Sequence, residues 1–174
     1  MPEVDAGLLI LPYDREKAVA YAHRWAFARN PAYYDFSALG GDCTNYASQC
    51  VYAGTGIMNY KPVYGWYYVN AGNRTPSWTG VEYFYNFMVN NTGVGPFMRV
   101  VELRDILPGD IIQIKFGRAY YEHNPVVVSV GAVPEPSNIL VAAHTYDADY
   151  RPLDTYPYTA LRPMHVLGAR RYRS

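Results

Sequence analysis

HNPVVVSVGAVPEPSNILVAAHTY, residues 123–146, decides the class of fold. The run HNPVVVSVGAV is enriched in β-branched residues and reads as a strand. PEPS is a turn, and NILVAAHTY is a second strand linked to the first as a hairpin. Upstream, ILPGDIIQIKF reads as a turn followed by a strand; downstream, MHVLGARRYR reads as a last strand. The C-terminal part of the chain is therefore a set of neighbouring strands with short connections, which makes an antiparallel sheet.

The N-terminal part has a different period. Residues 14–29 place Ala18, Ala22 and Trp25 at helical spacing, with Asp14 as N-cap and Asn30-Pro31 as the stop. A second helix is expected from Cys43 to about Ala53, with Asp42 as N-cap and Gly54 and Gly56 ending it. A third is expected from Ser77 to Asn90, where Trp78, Val81, Tyr85 and Met88 share one face. The stretch between the last two, NYKPVYGWYYVNAGNRTPSW, reads as a long aromatic loop, and such loops are often functional. Helices first and an antiparallel sheet second predict an α+β fold, with N-terminal helices packed on a C-terminal sheet. With no repeat or internal boundary, residues 1–174 read as a single domain.

Composition narrows the function. The 15 basic and 15 acidic residues balance, which argues against a nucleic-acid partner held by bulk electrostatics. No apolar stretch approaches the length of a membrane span. The first residues lack the basic region and cleavage site of a signal peptide. Aromatics make up 16% of the chain and include 19 tyrosines, which suits either a Tyr-rich core or a cleft for a sugar or peptide polymer. Two cysteines are too few for a disulfide framework. On one helix, Cys43 and Cys50 would lie roughly 10 Å apart, too far for a bridge.

The stretch GGDCTNYASQC, residues 40–50, puts Cys43 at the start of the second helix. Unpaired N–H groups and the helix dipole there favour a thiolate, and the Cys43 N–H could serve an oxyanion hole. Cys50, in mid-helix, reads as a small buried hydrophobe. A cysteine nucleophile needs a histidine base, and that base needs a third polar group. Of four histidines, His23 reads as a surface or core-edge residue of the first helix and His165 as structural. His123 stands at the entry to a strand, where catalytic groups are commonly displayed. His144 ends the next strand, at the same end of the hairpin, although counting leaves the register open. Asp147 and Asp149 are reserve candidates for the third role.

These pieces, NPAYYDF, GGDCTNYASQCVYAG, WYY, SW, LPGDII, HNPVVV and HTYDADYRPL, in this order, resemble the bacterial putative amidase domain family. That family is usually grouped with the NlpC-like and CHAP-like papain-fold cysteine peptidases. The resemblance runs from about Tyr13 to Leu153. It implies a papain-like α+β core and hydrolysis of amide bonds, in peptidoglycan peptides or similar cell-wall amides, outside the cell or at its wall. Carried over residue by residue, it implies Cys43 as nucleophile, His123 as base, His144 as the third polar group and Asp42 as the acidic residue before the cysteine. The family usually shows His-Ser where this chain has His123-Asn124, followed by Pro125.

For the remaining roles, Asn45 and Tyr33 are candidate oxyanion or orienting groups. Trp66, Tyr67, Tyr68 and Trp78 are candidate walls of a substrate cleft. No cofactor or metal is expected. Three rival readings stand beside the hydrolase: a glycan- or peptide-binding module without turnover, a zinc site made of Cys43, His123 and His144, and an acyl transferase that uses the same thioester.

Overall fold

The computed structural model describes residues 7–173; residues 1–6 of the segment searched for a leader lie outside them. Strand β1 (Leu8–Leu11) and helix α1 (Arg15–Trp25) come first. Asp14 caps α1, its Oδ1 accepting from Lys17 N at 3.1 Å. The helix stops at Trp25, four residues short of the expected Arg29, and a turn carries the chain on. Helix α2 (Cys43–Thr55) follows and ends at Gly56, whose φ of +68° lets its N–H reach back to Tyr52 O.

Every residue of α2 from Cys43 to Val51 is buried. It lies against α1, the short helix that follows it and the sheet. A helix buried all round must satisfy its polar side chains internally. Ser48 Oγ donates to Trp78 O at 2.9 Å and accepts from Trp66 Nε1 at 3.2 Å. Tyr21 OH donates to Gln49 Oε1. The aromatic loop is more ordered than its sequence implies: it contains the two-strand ribbon β2 (Tyr68–Asn70) and β3 (Asn73–Arg74). The expected third helix is two, α3 (Pro76–Thr79) and α4 (Val81–Asn90). Gly80 separates them in extended conformation, and a Cβ there would fall 2.9 Å from the Tyr83 ring.

Strands β4 (Gly95–Val100), β5 (Ile111–Lys115), β6 (Val126–Val130), β7 (Ile139–Ala143), β8 (Ala148–Pro152) and β9 (Ala160–Tyr172) complete the main sheet. Its pairings are antiparallel and its main path runs β1-β9-β5-β6-β7-β8, with β4 also on β9. The fold is thus α+β, as the segregation of periods predicts, although β1 and the β2-β3 ribbon precede the main block of strands. The two sheet faces carry separate cores. Ile111, Val126, Val128 and Ala142 pack with Tyr46, Trp78 and Phe84 of the helices. Ile112, Ile114, Val127 and Val141 pack with Ile106, Leu153 and Tyr156 on the other side.

Candidate active site

Asp42 stands at the N-cap position of α2, but its side chain makes no capping bond to the helix. This corrects the capping expectation. The carboxylate instead joins three segments. Oδ1 accepts from Phe36 N and Asn45 Nδ2, each at 2.8 Å, and Oδ2 meets His144 Nδ1 at 2.5 Å. The Asp42 backbone N–H donates to Thr145 Oγ1 at 3.1 Å. Gly41, at φ +103°, makes this approach possible: a Cβ would stand 3.0 Å from the same Oγ1. With its carboxylate used elsewhere, the first-turn N–H groups of α2 keep no side-chain cap.

Cys43 is buried, with 9% of its surface exposed. Its thiol is pushed up by burial, against the lowering effects of the Thr44 hydroxyl, the Thr44 N–H and the Asn124 N–H. Thr44 Oγ1 lies 3.8 Å from Sγ. The sulfur therefore sits among polar donors, next to the peptide that joins His123 to Asn124. The expected preformed thiolate does not follow, because desolvation outweighs the donors.

His123 is held by backbone pairing just ahead of β6. Its carbonyl accepts from Ile114 N at 3.1 Å, and Glu122 N donates to Ile114 O at 2.9 Å. Burial first, and the Arg151 guanidinium second, push its imidazole down to about 4. Its ring nitrogens have no hydrogen-bond partner among the described residues. The ring lines a cleft of about 710 Å³ with Phe116, Glu122, Thr145, Arg151 and Tyr156. The Tyr156 ring is 5.6 Å away, centroid to centroid. Burial raises the Tyr156 hydroxyl, against the lowering effect of the Arg151 guanidinium beside it.

His144 is not brought to His123. Its Nδ1 is taken by Asp42 and its Nε2 meets Trp25 O at 2.7 Å, while the ring stacks on Tyr46 with centroids 4.1 Å apart. The sheet register explains this. Val126 pairs with Ala142 and Val127 with Val141. Continued to the strand ends, that register puts His144 opposite Asn124, and His123 opposite Thr145. A one-residue offset turns a side chain to the other face, so His144 meets the helices while His123 meets Phe116 and Tyr156.

The other expected site residues are spread through the structure. Asn45 is fully engaged: Nδ2 donates to Tyr34 O and Asp42, and Oδ1 accepts from Trp78 Nε1. Tyr33 packs against Tyr68 and Trp78, where burial raises its hydroxyl to about 12. Trp66 and Trp78 are wholly buried core residues, not cleft walls, and Tyr68 is buried with its hydroxyl bonded by Tyr34 N. Tyr67 is half-buried and bonds Asn73 on the small ribbon. Asp147 pairs with Arg29 and Asp149 with His23. Cys50 is free and buried. Among the described residues, no group of three or more His, Cys, Asp or Glu is gathered to hold a metal ion, so the zinc reading has no site.

Sequence reasoning missed Tyr156, Arg151, Thr145 and the side chain of Asn124. Asn124 is completely buried, and neither its Nδ2 nor its Oδ1 has a partner; the Tyr156 hydroxyl is likewise buried and unpaired. Such orphans are costly and call for a ligand or a catalytic use. The signal available was Asn124 itself, a polar residue interrupting the run that leads into β6.

Comparison with known proteins places the chain in a family. The uncharacterized protein YhbB of Bacillus subtilis (strain 168) is 33% identical over 153 residues, 87% of this chain and 47% of that protein. The chain thus spans about half the length of this relative. No solved structure matches the present chain. Residues 12–167 match the putative amidase domain, and the chain belongs to that family.

Proposed function

We propose that the protein is a cysteine amidohydrolase of papain-like, NlpC- or CHAP-related architecture, acting on amide bonds of cell-wall peptides outside the cell. The observation that carries this is the position of Cys43 at the uncapped start of α2, against the Asn124 N–H and one peptide from His123. Membership of an amidase family supports the reaction type.

The thiol is held up by burial and the imidazole down, so both start neutral near pH 7 and His123 acts as a general base. As Sγ bonds to the amide carbonyl carbon, the S–H proton moves to His123. The resulting oxyanion is met by the Cys43 N–H and by the unpaired Asn124 amide. Collapse breaks the C–N bond; His123 returns its proton to the leaving amine and a thioester remains. His123 then takes a proton from water, whose oxygen attacks the thioester carbonyl. The acid departs and the thiol is restored. Asp42 and His144 serve this scheme by fixing the helix start rather than by relaying a proton.

Digestion of peptidoglycan fragments tests the proposal by the appearance of new amino groups. Cys43→Ala abolishes their release and Cys50→Ala leaves it intact. Release by Cys43→Ala at the wild-type rate would contradict the mechanism. The burial of Cys43 gives some support to a second reading, a peptide-binding module that does not turn over; retention of the same fragments without cleavage would favour it.

A further inference from the structure

The cleft contains a cation with no carboxylate of its own. Arg151, on β8, lines it beside His123 and Tyr156 and makes no salt bridge among the described residues. Other arginines near the site are paired: Arg29 with Asp147, and Arg118 with Glu122. Glu122, also in the lining, accepts from Phe116 N at Oε2 over 3.3 Å and pairs through Oε1 with Arg118 Nε at 3.4 Å. The Arg151 guanidinium is fixed nonetheless. It lies over the Tyr156 ring with Cζ 3.6 Å from the centroid. Nε donates to Thr155 Oγ1 at 2.8 Å and Nη2 to Thr155 O at 3.1 Å. Two of its five N–H groups are thus used and three remain.

We propose that Arg151 is a carboxylate subsite: the substrate is an amide bearing a free carboxylate close to the scissile bond, which the open end of the guanidinium receives. This rests on the hydrolase reading above. A planar, preoriented guanidinium suits the two oxygens of a carboxylate. Among the described residues that line the cleft, Arg151 is the one Lys or Arg side chain, and a single fork is matched to one carboxylate rather than to a polyanion. Occupancy also bears on the reaction, because Arg151 contributes to holding the His123 imidazole neutral. A carboxylate on Arg151 cancels that influence and makes His123 a better base, so a substrate with the right group improves turnover as well as binding.

Alkylation of Cys43 in the native protein by iodoacetate and by iodoacetamide tests this. Each rate is divided by that of free N-acetylcysteine with the same reagent. Wild type is expected to favour iodoacetate by about tenfold on this scale, the size of one good charge-assisted contact. Arg151→Gln brings the ratio to about one and Arg151→Lys to an intermediate value. In parallel, sodium acetate added to Cys43→Ala shifts the ring proton signals of His123, acetamide does not, and Arg151→Gln removes the acetate response. Labelling by iodoacetamide without an Arg151-dependent preference for iodoacetate overturns the subsite and leaves the nucleophile standing. Absence of labelling by either reagent overturns the nucleophile, while the acetate response still decides the subsite: no shift means no carboxylate site.

Discussion

Asp42 Oδ2 and His144 Nδ1 are 2.5 Å apart and both side chains are almost fully buried. This pair ties the start of the cysteine helix to the end of β7, and the Trp25 carbonyl closes the other side of the ring. Breaking a buried pair strands the remaining group without a partner, at roughly 3–5 kcal/mol. Asp42→Ala and His144→Ala should each lower the free energy of unfolding by about that much in urea titrations. If His144 were simply the orienting group of a triad, the substitution would lower turnover with little change in the urea midpoint.

His123 predicts a pH dependence of stability. Its imidazole is about 4 in the folded protein and near 6.5 when exposed. Between these values the unfolded chain binds a proton that the folded one refuses, so stability rises with pH across that window. The contribution is fully present above about pH 6.5 and is lost as pH falls toward 4, up to about 3 kcal/mol. His123→Gln should flatten this part of the profile relative to wild type. Parallel profiles for the two proteins, measured by urea unfolding, would show that the ring is not held neutral.

Cys43 predicts a kinetic profile. Burial raises its thiol, so alkylation by iodoacetamide in the free protein should keep climbing above about pH 9. A rate already at its plateau near about pH 6 would mean a preformed thiolate–imidazolium pair instead.

Trp78 separates core from cleft. It is fully buried, stacks near Tyr33 and Trp66, and donates to Asn45 Oδ1. Trp78→Ala should cost about 3–5 kcal/mol of stability. A wall residue of an open cleft would lose binding and little else.

The outline of this arrangement was legible in the chain. β-Branched runs and PEPS announce the β6-β7 hairpin, and GGDC announces the start of α2, because both are local signals. Register is not local. The Val126–Ala142 pairing sets His123 and His144 on opposite faces, and no count across a loop of unknown geometry yields it. The turn after β7 hides a related feature: Thr145 and Tyr146 both adopt positive φ, +62° and +60°, without a glycine to signal it. Asp42 looked like a helix cap since Asp before a helix usually is one; the competing donors from Phe36, Asn45 and His144 come from tertiary structure. Trp66 sits in a Gly- and Pro-rich stretch that reads as a loop and Trp78 at the expected start of the third helix, and the buried polar groups of α2 hold both indoles inside. Tyr156 and Arg151 could not be tied to His123 from sequence, because they reach it only through the second core beneath the sheet.

The most direct measurement is the site of alkylation in the native protein, read by peptide mapping after brief iodoacetamide treatment at about pH 8, with His123→Ala alongside. The account predicts modification of Cys43 and not Cys50, and a slower reaction at Cys43 once the imidazole is gone. Modification of Cys50 in preference to Cys43, or an unchanged rate in His123→Ala, would contradict it.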